Sequence, residues 1–469
     1  MTQTLVRRVR RRLSGTDGAF DRRLIAPLVL GAILNPINSS IIAVSLVPIG
    51  AAFGAPPAQT AWLVSSLYLA TSIGQPVAGR LVDVYGPRPL FLTGAALTGA
   101  AGVLGTFAPN LPVLVVARVI LGFGTCAGYP AAMSLIRRES QRTGQDSPGT
   151  VLTILAVSSQ TIAVIGPPLG GVLIAIGGWR TTLGVNIPLA LIGLVLGARR
   201  MPRTDTDRGV ARRLDFAGIA LFAATLVALL LFLMSPHVDR LWLPGIAAVF
   251  LAGFAWRELH CADPFIELRM LAGNVPLVLS YTRAVLISVV NYCFLYGFTQ
   301  WLEDGRGLSA THAGLVLLPM FVIAIAVSTT TGRRREIRAK LIVGQSVQVC
   351  VCALLLVVSS SSAIWLVLLV TVVLGVPQGL NNLAVQNAVY YQADPARIGA
   401  SAGLLRTFLY LGAIGASAAT GGLFGRSADT SGLHHLAVFM VAVSAVGLAI
   451  TVLDRSLSRV VATPATAAE

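Results

Sequence analysis

Runs of mainly apolar residues about as long as a bilayer is thick recur along the whole chain, each bounded by charges, proline or glycine. The first six cover 24–49, 58–78, 90–109, 111–136, 151–176 and 181–198. Two more cover 216–234 and 241–256, and a last six cover 275–300, 310–330, 341–358, 364–386, 398–424 and 433–452. The pattern predicts an all-α integral membrane protein of fourteen transmembrane helices, because only helices and closed barrels satisfy their backbone polar groups in lipid. The layout is six, two and six. Residues 1–23 form a basic tail and 24–199 a first six-helix bundle. Residues 200–273 supply a linker and two inserted helices, 274–453 a second six-helix bundle, and 454–469 a tail. Residues 200–213 (MPRTDTDRGVARRL) read as a solvated tether, and the Ala/Thr-rich end beyond Arg459 reads as disordered.

Composition agrees with the pattern. The 469 residues are 55% hydrophobic and 12% charged, and the 47 glycines suit helices that must approach closely. The net charge of +16 changes the picture only once it is located. Of the 35 Lys and Arg, 28 fall in tails and loops on one side, four on the other (Arg180, Arg240, Arg306, Arg426), and three within spans (Arg118, Arg283, Arg406). Positive residues accumulate in cytoplasmic loops, so both termini are expected in the cytoplasm of a multi-pass cell-membrane protein. Because the charge is divided among loops, it excludes a nucleic-acid surface. The N-terminus runs from Arg7–Arg12 through Asp21-Arg22-Arg23 into a full-length span, which does not fit a cleavable signal. The five cysteines are scattered, in neither a disulfide framework nor a metal spacing, and no cofactor or metal is expected.

Three motifs carry the mechanism. Gly79-Arg80-Leu81-Val82-Asp83-Val84-Tyr85-Gly86-Pro87-Arg88 follows the second span. It resembles the G-x-L-x-D-x-x-G-[RK]-[RK] signature of the major facilitator superfamily, with Pro87 in place of the first basic residue. The fourth span carries Arg118-Val119-Ile120-Leu121-Gly122-Phe123-Gly124. This is similar to the superfamily's arginine-glycine pattern, with Leu121 where glutamine is usual. The fifth carries Gly166-Pro167-Pro168-Leu169-Gly170-Gly171, followed by Gly178-Trp179-Arg180 and Asn186-Ile187-Pro188, and resembles the antiporter signature of the export branch. Pro264–Arg269 and the segment from Gln300-Trp301-Leu302 to Leu318-Pro319 extend the resemblance to the fourteen-helix drug/proton antiporters. The resemblance implies two pseudo-symmetric six-helix bundles with two inserted helices and a site near the midplane. It also implies conformational gating by Gly79, Asp83, Gly86 and Arg88, and pivoting at Gly166, Pro167, Gly170 and Gly171. Proton transfer or charge gating would fall to Arg118 and Asp215. The alternative for Arg118 is a structural arginine satisfied by neighbouring carbonyls.

One departure matters. Relatives in that branch place an aspartate in the first span, where this chain reads Leu34-Asn35-Pro36-Ile37-Asn38-Ser39-Ser40. An amide cannot titrate, so Asn35 cannot carry a proton. All nineteen acidic residues are placed in loops, tails or helix ends, Glu303 and Asp304 among them. A coupling group is then sought at a helix end, at Asp83, Asp215 or His312. Arg283 and Arg406 are short enough of the helix middle to snorkel or pair. Polar residues within spans (Asn35, Asn38, Gln160, Asn291, Tyr292, Gln378, Asn381, Asn382 and Gln386) outline a substrate cavity or inter-helix glue. The resulting expectation is a monomeric, proton-coupled exporter of amphipathic small molecules, multidrug in type, in contact with membrane lipids. The alternative is an exporter of a specific neutral or anionic metabolite, lipid or siderophore. A membrane enzyme or channel is the distant alternative, and no nucleophile constellation or phosphate loop supports it.

Overall fold

The computed structural model describes residues 21–143, 149–202, 215–234, 238–261, 264, 268–270, 273–331, 336–393 and 398–459. Among these every regular element is helical. The first bundle contains α1 (Ile25–Ile41) and α2 (Leu46–Phe53), joined by a 3-10 turn, then α3 (Pro57–Tyr85) and α4 (Pro87–Thr106). It continues with α5 (Leu111–Cys126), α6 (Gly128–Thr143), α7 (Gly149–Gly177), α8 (Arg180–Gly184) and α9 (Asn186–Arg200). The inserted pair is α10 (Phe216–Leu233) and α11 (Trp242–His260). The second bundle opens with α12 (Val275–Tyr292), which runs on through two π-helical stretches, Cys293–Phe298 and Trp301–Gly305. Then come α13 (Ala310–Thr331), α14 (Ile337–Leu354), α15 (Ile364–Gln392), α16 (Ile398–Phe424) and α17 (Thr430–Leu453).

Among the described residues, eleven helical stretches are long and apolar enough to cross a bilayer. Helices α3, α7 and α11, of 29, 29 and 19 residues, occupy the three other expected positions. Several helices outrun their apolar stretch: the one expected over 58–78 ends at Tyr85, and the one over 364–386 ends at Gln392. Hydropathy marks the part that lipid covers, whereas the backbone ladder continues until a terminating signal arrives. Helix starts carry such signals. Asn110, Asp215, Asn274 and Asp429 each accept a backbone N–H three residues on, at 2.7–3.1 Å. Gly86, at φ +84°, ends α3 and turns the chain directly into Pro87, a backbone conformation costly for any residue with a Cβ.

The surface is inverted relative to a water-soluble protein. Large apolar side chains such as Phe216, Trp242, Val249 and Ile176 point outward, while Arg118, Arg283, Gln348 and Asn381 are inside. The inserted pair packs with Phe222, Leu226 and Phe254 against Leu69, Ile73, Val77 and Leu411, and so covers the line where α3 of the first bundle meets α16 of the second. Its two helices are tied by the Asp215–Arg257 ion pair at 2.7 Å.

Candidate functional site

The bundles meet along two helix pairs, α3 with α16 and α7 with α13, and contact is closest at the end of the molecule away from the termini. There the Ser417 hydroxyl donates to the Ala61 carbonyl at 2.8 Å, and a Cβ on Gly421 would lie 3.0 Å from that of Ala61. Across the seam, the Thr311 hydroxyl donates to the Gly171 carbonyl at 2.9 Å. A Cβ on Gly314 would lie 2.7 Å from the Pro167 oxygen, and one on Gly171 would collide with the Thr311 backbone. Small residues let these backbones touch. Gly166 and Gly170 serve the same purpose within the first bundle, against Ser40 and Val44.

Farther toward the termini a tyrosine cluster bridges the bundles. Tyr296 donates its hydroxyl to the Ser39 carbonyl at 3.1 Å, so Tyr68 is the donor in the 2.9 Å contact between their hydroxyls. The Tyr68 ring packs on Tyr292 and Tyr410 with centroids 5.2 and 5.5 Å apart. One turn before Tyr410, the solvent-accessible Arg406 places its guanidinium 4.7 Å from the centroid of Tyr129 on α6, in the opposite bundle. Toward the other end of this pair, side chains started at Gly79 or Gly403 would meet nothing within 4 Å.

Arg118 lies wholly buried beside this cluster. Its Nε donates to the Leu63 carbonyl at 2.9 Å and its Nη1 to that of Asn38 at 3.4 Å, while Nη2 has no partner. It therefore clamps α1 and α3 from α5. The glycines after it explain how α5 comes so near. A Cβ on Gly122 would lie 2.7 Å from the Leu67 carbonyl oxygen of α3, and one on Gly124 2.8 Å from the Thr98 nitrogen of α4.

The other intramembrane charges differ. Arg283 is fully buried and ion-paired with Asp454, so it does not snorkel. Asp215 caps α10 and holds Arg257. Burial pushes its carboxyl up, but the bonds from Arg257 and the Gly218 N–H prevail and keep it below the ordinary carboxylate range. A group held ionised in this way is poorly suited to exchange protons near neutral pH. Expected at an external loop or helix end, Glu303 lies in the second π-helical stretch, which ends its helix, and it is buried, with an Oε1 that has no hydrogen-bond partner. A π-helical turn sets side chains off α-helical phase, so hydropathy along the sequence does not show which face it takes.

The polar residues expected to line a cavity fall into groups. Asn35 is half-buried and donates to Thr125 at 3.3 Å. Asn38 is consumed by packing, in a reciprocal amide pair with Asn186 at 2.7 and 2.8 Å. Asn381 likewise joins α15 to α14 through Gln348 at 2.7 Å, whereas Gln378 and Asn382 are half-buried and Gln386 is exposed. Asn291 keeps a buried Oδ1 without a partner beside the half-buried Tyr292. The side chains of Asp83 and Gln160 lie outside the described residues. Arg88 donates to the Ala198 carbonyl at 2.7 Å, tying α4 to α9, and Arg80 to that of Pro264. Sequence reading missed Tyr68, Tyr129, Tyr296 and Tyr410. The chain has nine tyrosines, and five of them, Tyr292 included, gather at this seam; tyrosine within spans was the available signal.

Residues 28–417 match the Major Facilitator Superfamily. The chain belongs to the major facilitator superfamily. It is 31% identical over 88% of its length to 92% of YwoD, named as an uncharacterized MFS-type transporter of Bacillus subtilis (strain 168). It is 29% identical over 68% of its length to 66% of the lincomycin resistance protein of Streptomyces lincolnensis. Among solved structures, an auto-inhibited POT family peptide transporter superposes with a TM-score of 0.69 at 13% identity, covering 92% of this chain and 97% of that one. At that identity the likeness shows the fold alone. Superfamily membership makes the protein a multi-pass membrane transporter.

Proposed function

We propose that this chain exports amphipathic small molecules across the cell membrane by alternating access. The observation that carries the reading is the seam, closed by Ser417, Thr311, Gly171 and Gly314 at one end, with space left around Gly79 and Gly403 toward the other. Rocking one bundle against the other would exchange the sealed and open ends. With both termini in the cytoplasm, as the distribution of Lys and Arg predicts, the less tightly closed end would face the cytoplasm and the structure would correspond to the loading state. Helices α3, α7 and α11 are then also spans, completing fourteen. Relatives named for resistance to lincomycin and to multiple drugs support the direction and the amphipathic cargo.

In this reading the Gly79–Arg88 loop is the cytoplasmic gate, Gly166 to Gly171 are the pivot, and Arg118 exchanges partners between states through its unused Nη2. Export is coupled to protons. With Asn35 unable to titrate and Asp215 ion-paired, Glu303 is the carboxyl we assign to that task, with Asp83 as the cytoplasmic gate's partner group. The test is flux of ethidium into inverted vesicles under an imposed proton gradient. Uphill accumulation that disappears when the gradient is collapsed supports the reading. Flux indifferent to the gradient sinks proton coupling, and absence of saturable flux for a panel of amphipathic cations, anions and neutral molecules sinks the exporter.

A further inference from the structure

Three arginines lie within spans, and their surroundings differ. Arg283 is buried against Asp454, and Arg118 is locked onto the carbonyls of Leu63 and Asn38. Arg406 alone of the three reaches solvent, and among the described residues no carboxylate pairs with it. It does not snorkel toward lipid. Its guanidinium crosses the seam to the face of Tyr129 at 4.7 Å, and Tyr410 and Tyr292 stand within interaction range of it. Tyr410 in turn reaches Gln75 on α3. Both bundles therefore contribute rings around this exposed cation, Tyr129 from one and Tyr292 and Tyr410 from the other.

Resting on the alternating-access reading, we infer that Arg406 anchors the anionic head of an amphiphile, whose flat or hydrocarbon body lies against Tyr129, Tyr292 and Tyr410. A guanidinium presents a planar fork that matches a carboxylate, sulfonate or phosphate through two parallel N–H···O bonds. A ring face holds the cation in place without neutralising it, so the net charge stays available to a ligand. The rings provide broad apolar area with few rotors, and their hydroxyls and Gln75 supply adaptable polar contacts at its rim. A cationic cargo would meet like charge in a site of reduced dielectric.

The anionic head could belong to a soluble cargo or to a lipid entering the groove. The experiment uses the purified full chain in discs of zwitterionic lipid, with binding of carboxyfluorescein followed by fluorescence anisotropy, and in vesicles of the same lipid for flux. Arg406→Gln is expected to weaken carboxyfluorescein binding about tenfold, and Arg406→Lys by less, since the charge remains but the fork is lost. The ratio of carboxyfluorescein to ethidium flux is expected to fall by a similar factor. Unaltered binding in a folded Arg406→Gln chain, or no binding to the parent, overturns the inference. Binding that depends on Arg406, with flux of neither probe, upholds the site and overturns the exporter reading. Discs containing phosphatidylglycerol distinguish the sources. Competition that depends on Arg406 makes the occupant a lipid head, and its absence, with carboxyfluorescein still bound, makes it a soluble cargo.

Discussion

Replacing Gly314 by alanine tests the sealed end directly. The added methyl would stand 2.7 Å from the carbonyl oxygen of Pro167 and 2.8 Å from its carbon. Both are backbone atoms and cannot swing aside, so α7 and α13 must separate by about 0.7 Å to restore ordinary contact, an overpacking that costs about 1–3 kcal/mol. The penalty falls on the sealed state alone if the same helices are apart when the molecule faces the other way. The ratio of sealed to unsealed molecules should then drop about five- to 150-fold. Ser417, nearly inaccessible in the sealed seam, reports the change. A chain stripped of its native cysteines and carrying Ser417→Cys is labelled with a membrane-impermeant maleimide, with and without Gly314→Ala. Labelling is expected to accelerate by about the same factor. Gly422→Ala is the control, because a side chain there meets nothing within 4 Å. A folded Gly314→Ala chain that labels at the parent's rate would refute the steric reasoning.

Tyr296→Phe removes the donor to the Ser39 carbonyl and the acceptor for Tyr68, and should loosen the seam by about 1 kcal/mol, read as faster labelling at Ser417→Cys. Arg283→Met or Asp454→Asn alone strands a buried charge and should lower stability by about 3–5 kcal/mol in thermal unfolding, with the double substitution recovering most of the loss; equal melting of all three chains would contradict the pairing. Asp215 has a depressed folded-state pKa, so its stabilising effect is complete above the unfolded value of about 3.9 and fades as pH falls through the folded one. Asp215→Asn should therefore melt earlier than the parent at pH 7, with the gap closing in acid, and should still transport. Glu303→Gln keeps the shape and loses the titration; gradient-driven accumulation should vanish while substrate counterflow persists, and retained accumulation would remove Glu303 from the coupling path.

The parts legible in the sequence are those that depend on composition along one helix. Span positions follow from apolar runs, and the turn at Gly86 and the starts at Asn110, Asp215, Asn274 and Asp429 follow from capping chemistry. The role of each polar residue is less legible because it depends on which neighbour faces it. Asn35 and Asn38 lie three apart in one segment; one holds Thr125 and the other is absorbed by Asn186. Arg283 and Arg406 sit at similar depths in α12 and α16, yet one finds a carboxylate from beyond α17 and the other a tyrosine from the opposite bundle. The burial of Glu303 was not legible, because π-helical stretches shift the helical phase before and around it. The partners of Asn35, Asn38, Arg283 and Arg406 are decided by packing between segments more than 80 residues apart in sequence, which no local pattern encodes.

If Arg406 selects the cargo as proposed, the same cation also bears on coupling. Arg406 is exposed in this structure, and sealing its end of the seam would withdraw it from any water there. An uncompensated guanidinium in an occluded membrane site is expensive, whereas one paired with an anionic head and flanked by rings is much less so. A ligand can shift a conformational equilibrium only through its different affinity for the two states. An anionic amphiphile binds the occluded form better because it cancels the charge that occlusion would bury, and a cationic one binds it worse. Empty transporters would then be slow to occlude, while loaded ones would be fast.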